Sequence, residues 1–242
     1  GKVWYNSLQV SLQKRYSNGF ALTGSYTLSK NIQALSYLNP QDAAPANAIV
    51  PFDRTHVFVL APIYELPFGP GKPLLNSSHG VISRVVGGWQ VMGNFTWMSG
   101  VPMTVPSGVF VIGNPVISNP TAKQMFNTGL IDSTGKLVDQ VGSLPPAFQI
   151  QPAFSQRTAS LYFGDLRDRW GPQLDLALVK RTRIKERLNL ELRADALNAL
   201  NHPLWGGDPT IVPTSPSFGQ LLLNNGQTNE PREFQLSARF VF

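Results

Sequence analysis

The stretch YNSLQVSLQKRYSNGFALTGSYTLSK, residues 5–30, decides the fold class. Its apolar residues recur at every second position, not at helical spacing. Leu8, Val10 and Leu12 fall on one face, and Ser7, Gln9, Ser11 and Gln13 on the other. Ser17-Asn18-Gly19 then interrupts the run with residues suited to a tight hairpin turn. From Phe20 the alternation resumes, with Phe20, Leu22, Tyr26 and Leu28 opposed by Ala21, Thr23, Ser25, Thr27 and Ser29. Successive side chains of a strand point to opposite faces, so this reads as an antiparallel hairpin with one apolar and one polar face.

The same period continues outward along the chain. Between Thr55 and Leu66 it is less clean, because Val57, Val59 and Ile63 oppose Phe58, Leu60 and Tyr64. From Trp89 to Met98, Trp89, Val91, Phe95 and Trp97 oppose Gln90, Asn94 and Thr96. Leu174, Leu176 and Leu178 alternate with Gln173 and Asp175; Leu188, Leu190, Leu192 and Ala194 alternate with Asn189, Glu191, Arg193 and Asp195. At the end of the chain Phe234, Leu236, Ala238, Phe240 and Phe242 oppose Glu233, Gln235, Ser237 and Arg239.

A half-buried sheet in a water-soluble sandwich would also alternate. Length separates the two readings. Each segment holds about ten residues, enough for a tilted strand to cross a bilayer, whereas soluble strands average about five or six. The connections at 17–19 and 181–187 are short and the one at 67–88 is moderate. Those at 31–53, 100–172 and 199–230 are long and rich in Pro, Asn and Gly. Short turns on one side and long loops on the other are the outer-membrane pattern. With the short turns in the periplasm, Tyr16, Phe20, Tyr64, Trp89, Phe240 and Phe242 all fall near periplasmic strand ends, where an aromatic girdle belongs. The expected fold is therefore all-β: an antiparallel up-and-down transmembrane β-barrel segment of the cell outer membrane, about seven or eight strands with long extracellular loops. Seven strands is an odd count, and Phe218 to Leu223, turned back by Asn224-Asn225-Gly226, is the candidate eighth. The start at Gly1-Lys2-Val3-Trp4, almost inside a strand, reads as a truncated one.

Composition removes other classes. Only 14% of residues are charged, while 21 Gly and 20 Pro suit turns better than a helical enzyme. With 0 Cys there is no disulfide, thiolate metal site or cysteine nucleophile. The net charge of +6 raises the question of nucleic acid. Lys and Arg are nevertheless dispersed, apart from Lys180-Arg181-Arg183-Lys185-Arg187, and no basic face forms, so nucleic acid is not an expected partner. The opening residues do not read as a secretory leader, and no run of about 20 apolar residues marks a transmembrane helix.

Catalytic signals are sparse. His56, His79 and His202 lie too far apart in sequence for a paired-histidine metal site. Ser77-Ser78-His79-Gly80 is no nucleophile elbow, and the prolines of Phe68-Gly69-Pro70-Gly71-Lys72-Pro73 remove donors that a phosphate loop needs. Glu191, Arg193 and Asp195 share one strand face at steps of about 6.6–6.8 Å. They read as a lumen charge ladder with neighbours such as Asp175 and Arg239. Asp165, Arg167, Asp168 and Arg169 form a second mixed cluster at the end of a long loop, placed for ligand contact. No catalytic residue, metal ligand or cofactor is assigned. Two other classes stay open: a hydrolase of glycosidase or esterase type with acids in a sheet cavity, and a structural or adhesive oligomeric β-protein.

Several phrases occur in an order and at intervals that resemble a known family. They are Tyr5-Asn6-Ser7-Leu8-Gln9, Gly24-Ser25-Tyr26-Thr27-Leu28-Ser29-Lys30, Phe52-Asp53-Arg54-Thr55-His56 and Tyr64-Glu65-Leu66-Pro67-Phe68-Gly69. Gly87-Gly88-Trp89-Gln90, the run from Arg193 to Pro203, Phe218-Gly219-Gln220 and Arg239-Phe240-Val241-Phe242 complete the set. Together they resemble the C-terminal β-barrel region of TonB-dependent outer-membrane receptors, in the Oar-like group that carries a carboxypeptidase-regulatory-like domain. The resemblance covers essentially all of residues 1–242. It implies uptake of a polar ligand, with outer-membrane lipid, the barrel-assembly machinery and the remainder of the barrel and its plug as partners; the open strand edges and the apolar face add further copies of the chain as another expected partner. It also implies that Phe234, Leu236, Ala238, Phe240 and Phe242 form the terminal signal for barrel assembly. No plug domain, TonB-contacting box or regulatory-like domain is read within these residues, so active transport is not expected of them alone.

Overall fold

The computed structural model describes the whole chain except residues 77–79, 170, 186–187, 206 and 223–225. The expected strand at 55–66 is β4 (His56–Glu65), and its neighbours follow the predicted hairpin: β1 (Lys2–Ser17), β2 (Phe20–Ala34) and the short β3 (Ala48–Ile49). Asn18 and Gly19 both take positive φ, 51° and 79°, the turn whose twist matches flanking strands. The wall continues with β5 (Trp89–Met98), β12 (Gln173–Lys185), β13 (Leu188–Leu197) and β14 (Glu233–Val241). Seven long strands pair antiparallel in the order β1-β2-β4-β5-β12-β13-β14, and β3 adds to β2. Each long strand neighbours the next one in sequence, an up-and-down meander with β1 and β14 at its two ends.

Register fixes the phase that the sequence left mixed. Phe20 faces Tyr64, Tyr26 faces Phe58, and Leu60 faces Phe95. Across the next seams Val91 faces Leu178, Leu178 faces Ala194, and Ala194 faces Leu236. One uninterrupted apolar face therefore runs from Leu8 to Phe240. Leu12, Leu236 and Phe240 stand 58%, 82% and 57% exposed on it. Water would penalise such a surface, and bilayer hydrocarbon does not.

The wall has long loops at one end and short ones at the other. At the long-loop end, residues 99–172 build a cap with its own strands: β6 (Pro102–Thr104), β7 (Val109–Val111), β8 (Leu130–Ile131), β9 (Leu137–Asp139), β10 (Phe148–Ile150) and β11 (Tyr162–Arg167). They form a four-stranded sheet β7-β10-β8-β9 and a β6·β11 pair. The main apolar core of the described residues lies here and not in the wall. It gathers Met103, Val105, Val109, Met125, Phe126, Leu130, Ala147, Phe148, Phe163 and Leu166, with Leu221 from the last loop. Ring centroids of Phe126, Phe148 and Phe218 lie 5.3–5.9 Å apart, mutually edge-on.

Three expectations change. Phe218 to Leu222 add no wall strand: Phe218 sits in a turn and packs on the cap core, and the Leu221 N–H donates to the Ala122 carbonyl (2.7 Å). Leu223, Asn224 and Asn225 lie outside the described residues. Residues 181–185 are strand, not turn, because β12 pairs with β13 as far as Lys185↔Leu188. The connection at 67–88 contains a helix, α1 (Gly80–Val86), too short to announce itself by periodicity.

Candidate functional site

The cap is tied to the barrel rim by charges that come from distant parts of the chain. Asp53, just before β4, is buried. Its carboxylate accepts the Arg167 Nη2–H (2.7 Å) and the Asn31 backbone N–H (2.8 Å). Arg167 Nη1 also donates to the carbonyls of Asp53 (2.9 Å) and Gly100 (3.1 Å). One guanidinium thus joins the end of β11 to the end of the loop before β4 and the start of the loop after β5, and its fork geometry suits it to that task. Arg54 Nη1 donates to the Ser99 carbonyl (2.8 Å), and the His56 backbone N–H to Ser99 Oγ (3.1 Å). Gly100 has to be glycine here, since a Cβ would run into the Asp168 carbonyl.

Next to this clasp, two adjoining hollows open between the cap and the last loop. Both are lined by Asp168, Arg169, Leu204 and Trp205. One, of about 410 Å³, adds His202 and Leu221; the other, of about 530 Å³, adds Arg54 and Asn229. Asn229 organises the floor. It donates to Gln173 Oε1 (2.8 Å) and to the His202 carbonyl (2.9 Å), and accepts the Leu204 N–H (2.8 Å). The Asp168 carboxyl is pushed up to about 6 by burial and, secondarily, by Asp208; the Arg169 N–H and the Arg54 and Arg169 charges oppose the rise. The hollows offer a half-exposed indole, guanidinium donors, amides and a carboxyl that titrates near neutrality. That set offers a stacking surface and hydrogen-bonding groups of the kind that suit polar, ring-bearing or hydroxyl-rich molecules.

The predicted loop cluster is therefore divided. Asp168 and Arg169 face the hollows. Arg167 belongs to the clasp, and Asp165 is exposed on β11, lining a separate rim depression of about 430 Å³ with Lys30 and Tyr162. His202 reaches the hollow with its ring, while its carbonyl, not its ring, ties down the strand end. His79 lies outside the described residues. Arg54, Trp205 and Asn229 escaped the sequence reading, as did the role of Asp53. No local pattern marks them, although Asp53 and Arg54 stand within a phrase that carries the resemblance.

Within the lumen the charge ladder forms much as the alternation implies. Glu191 accepts from Arg181 Nε (2.8 Å) and Arg239 Nη2 (3.1 Å), and Arg193 clasps Asp195 (2.7 Å). Arg181 is the missed partner, hidden because its segment read as a turn. Asp175 stays outside the ladder and accepts the Asn198 N–H (2.9 Å). At the terminus Phe234, Leu236, Ala238 and Phe240 share the outer face of β14, and Phe242 lies just beyond it. Among the described residues no group of three or more His, Asp or Glu is placed to hold a metal ion.

No curated protein and no solved structure matches the chain. A family model described as an outer membrane beta barrel domain matches residues 1–235, and with the seven-stranded meander and its continuous apolar outer face, the chain belongs to that family and resides in the cell outer membrane.

Proposed function

We propose that the chain is the ligand-gathering barrel portion of an outer-membrane uptake receptor of the TonB-dependent kind, taking up a polar ligand and not transporting by itself. The observation that carries this reading is the pair of hollows at the mouth. They lie between a folded cap and the rim, lined by Arg54, Asp168, Arg169 and Trp205. A barrel serving only as a membrane anchor would need no cap with a core of its own. The lumen supports the same reading: Glu191 and Asp195 are each engaged by guanidinium groups, an arrangement that suits a wet, charged passage. Phe234, Leu236, Ala238, Phe240 and Phe242 are proposed to serve recognition by the barrel-assembly machinery.

The test is a fluorescence titration of the full chain folded in detergent micelles. Probes are a maltooligosaccharide and a short hydrophilic peptide, with Trp205→Phe as the variant that removes the reporting indole. Saturable quenching that is lost in Trp205→Phe and weakened in Arg54→Gln and Asp168→Asn supports a mouth receptor site. Quenching that survives Trp205→Phe moves binding elsewhere. A flat response to both probes overturns a site of this chemistry. Energy coupling is tested separately, by uptake in cells with and without an energised inner membrane.

A further inference from the structure

The short-loop end of the wall carries a second feature that receptor function does not use. Helix α1 (Gly80–Val86) buries none of its residues. Val81, Ile82 and Val85, which share one helical face, are 75%, 64% and 60% exposed. Its last turn is held by two side chains of the outer wall face. Trp89 Nε1 donates to the Val85 carbonyl (2.9 Å). Lys180 donates to the carbonyls of Arg84 (2.6 Å) and Gly87, and stands over the Trp89 ring at 5.4 Å. A cation at the C-terminal carbonyls also suits the helix dipole. Trp89 and Lys180 face each other across the β5·β12 seam, in the row that continues into Leu192 and Ala238. The helix is thus docked on the lipid-facing side at the level of the aromatic girdle, with its apolar face turned away from the protein.

Beside it, at the strand ends, lies a depression of about 360 Å³ where Lys72 and Arg84 stand near Glu65, and which Arg181 and Arg183 line from the lumen phase of β12. Lys72 pairs with Glu65 (2.9 Å), whereas Arg84 is exposed and makes no ion pair with any described residue. Apolar side chains flanked by cations at the depth of a girdle match one environment, the headgroup boundary of a phospholipid leaflet.

We propose that α1, with Arg84, forms a lipid site on the periplasmic side of the barrel. Val81, Ile82 and Val85 enter the acyl boundary, and Arg84 holds the phosphate of an anionic phospholipid. The proposal commits to leaflet phospholipid because the apolar face is continuous with the lipid-facing wall. It rests on the short turns being periplasmic and is independent of any ligand at the mouth.

The chain has 0 Cys, so Val85→Cys gives a single labelling position for an environment-sensitive fluorophore. The full chain is folded into vesicles of phosphatidylethanolamine and phosphatidylglycerol carrying spin-labelled acyl chains. Quenching comparable to that of a label at Leu192→Cys, with little quenching by aqueous iodide, is the expected result. Iodide quenching without spin-label quenching overturns the proposal, and Ile82→Cys repeats the measurement should the first label disturb the helix. Arg84→Gln should weaken the preference for phosphatidylglycerol over phosphatidylcholine vesicles about fivefold, the effect of one cation at an anionic surface. An unchanged preference removes the headgroup site.

Discussion

The wall and the cap use the same apolar residues in opposite ways. In the wall Leu236 and Phe240 point outward and are largely exposed, whereas in the cap Phe126 and Phe148 have almost no accessible surface. The difference follows from the solvent each region meets. Hydrocarbon gives an outward Leu nothing to escape from, so wall strands are held chiefly by backbone pairing from strand to strand. Cap residues meet water on every outer side and have to bury their phenyl rings against one another. One chain thus holds two regions under different rules, joined at the Asp53–Arg167 clasp.

Substitutions separate the two rules. The largest effect is expected in the cap, where Phe148→Ala opens a cavity at the centre of the ring cluster. A loss of about 3–5 kcal/mol of local stability is expected, confined to cap amides in hydrogen exchange. Equal loss of protection in β1 and β2 would show that cap and wall are one cooperative unit. Next comes the clasp. Arg167→Met leaves the Asp53 carboxylate buried with the Asn31 N–H for company, at a cost of about 3 kcal/mol. The cap should then become susceptible to protease while the wall stays resistant; an unchanged cleavage pattern would assign the cap's attachment to its other contacts.

In the wall, Leu178→Arg, in the row of Val91, Ala194 and Leu236, should cost roughly 2–3 kcal/mol in reversible unfolding from lipid vesicles. Leu190→Arg should cost less, because its partner Phe240 sits close to the girdle, and lumen-facing Asn189→Arg least of all. Equal penalties at 189 and 178 would mean that the outer face has been assigned to the wrong side.

The smallest expected effect is a pH dependence at the junction. The Asp168 carboxyl is raised from 3.8 to about 6, so the folded cap holds a proton there that the unfolded chain releases. Its contribution is fully present below about pH 4 and is lost as pH rises through about 6. For a partly wetted group this amounts to about 1 kcal/mol. Cap opening, measured by exchange across that range, should lose this slope in Asp168→Asn; a slope that persists belongs to another group.

What could be read from residues alone was whatever repeats locally. Side-chain alternation has a fixed period of two, so the hairpin at Asn18-Gly19, the strand from Trp89 to Met98 and the shared face of Glu191, Arg193 and Asp195 were legible without any partner. Strand β4 was not. Both of its faces are apolar, and only the pairing of Phe20 with Tyr64 and of Leu60 with Phe95 turns Phe58 outward and Val59 inward. The basic run at 180–187 carried no sign that Lys180 would cap a helix while Arg181 met Glu191 in the lumen. The tertiary structure alone decided the rest of the mouth. Asp53 and Arg167 are 114 residues apart, and Phe218 leaves the wall for the cap because ring burial gains more there than one further short strand would. Alternation is a property of neighbours and survives in the sequence. The clasp, the hollows and the cap core depend on which distant segments the closing loops bring together, and nothing local to those segments records it.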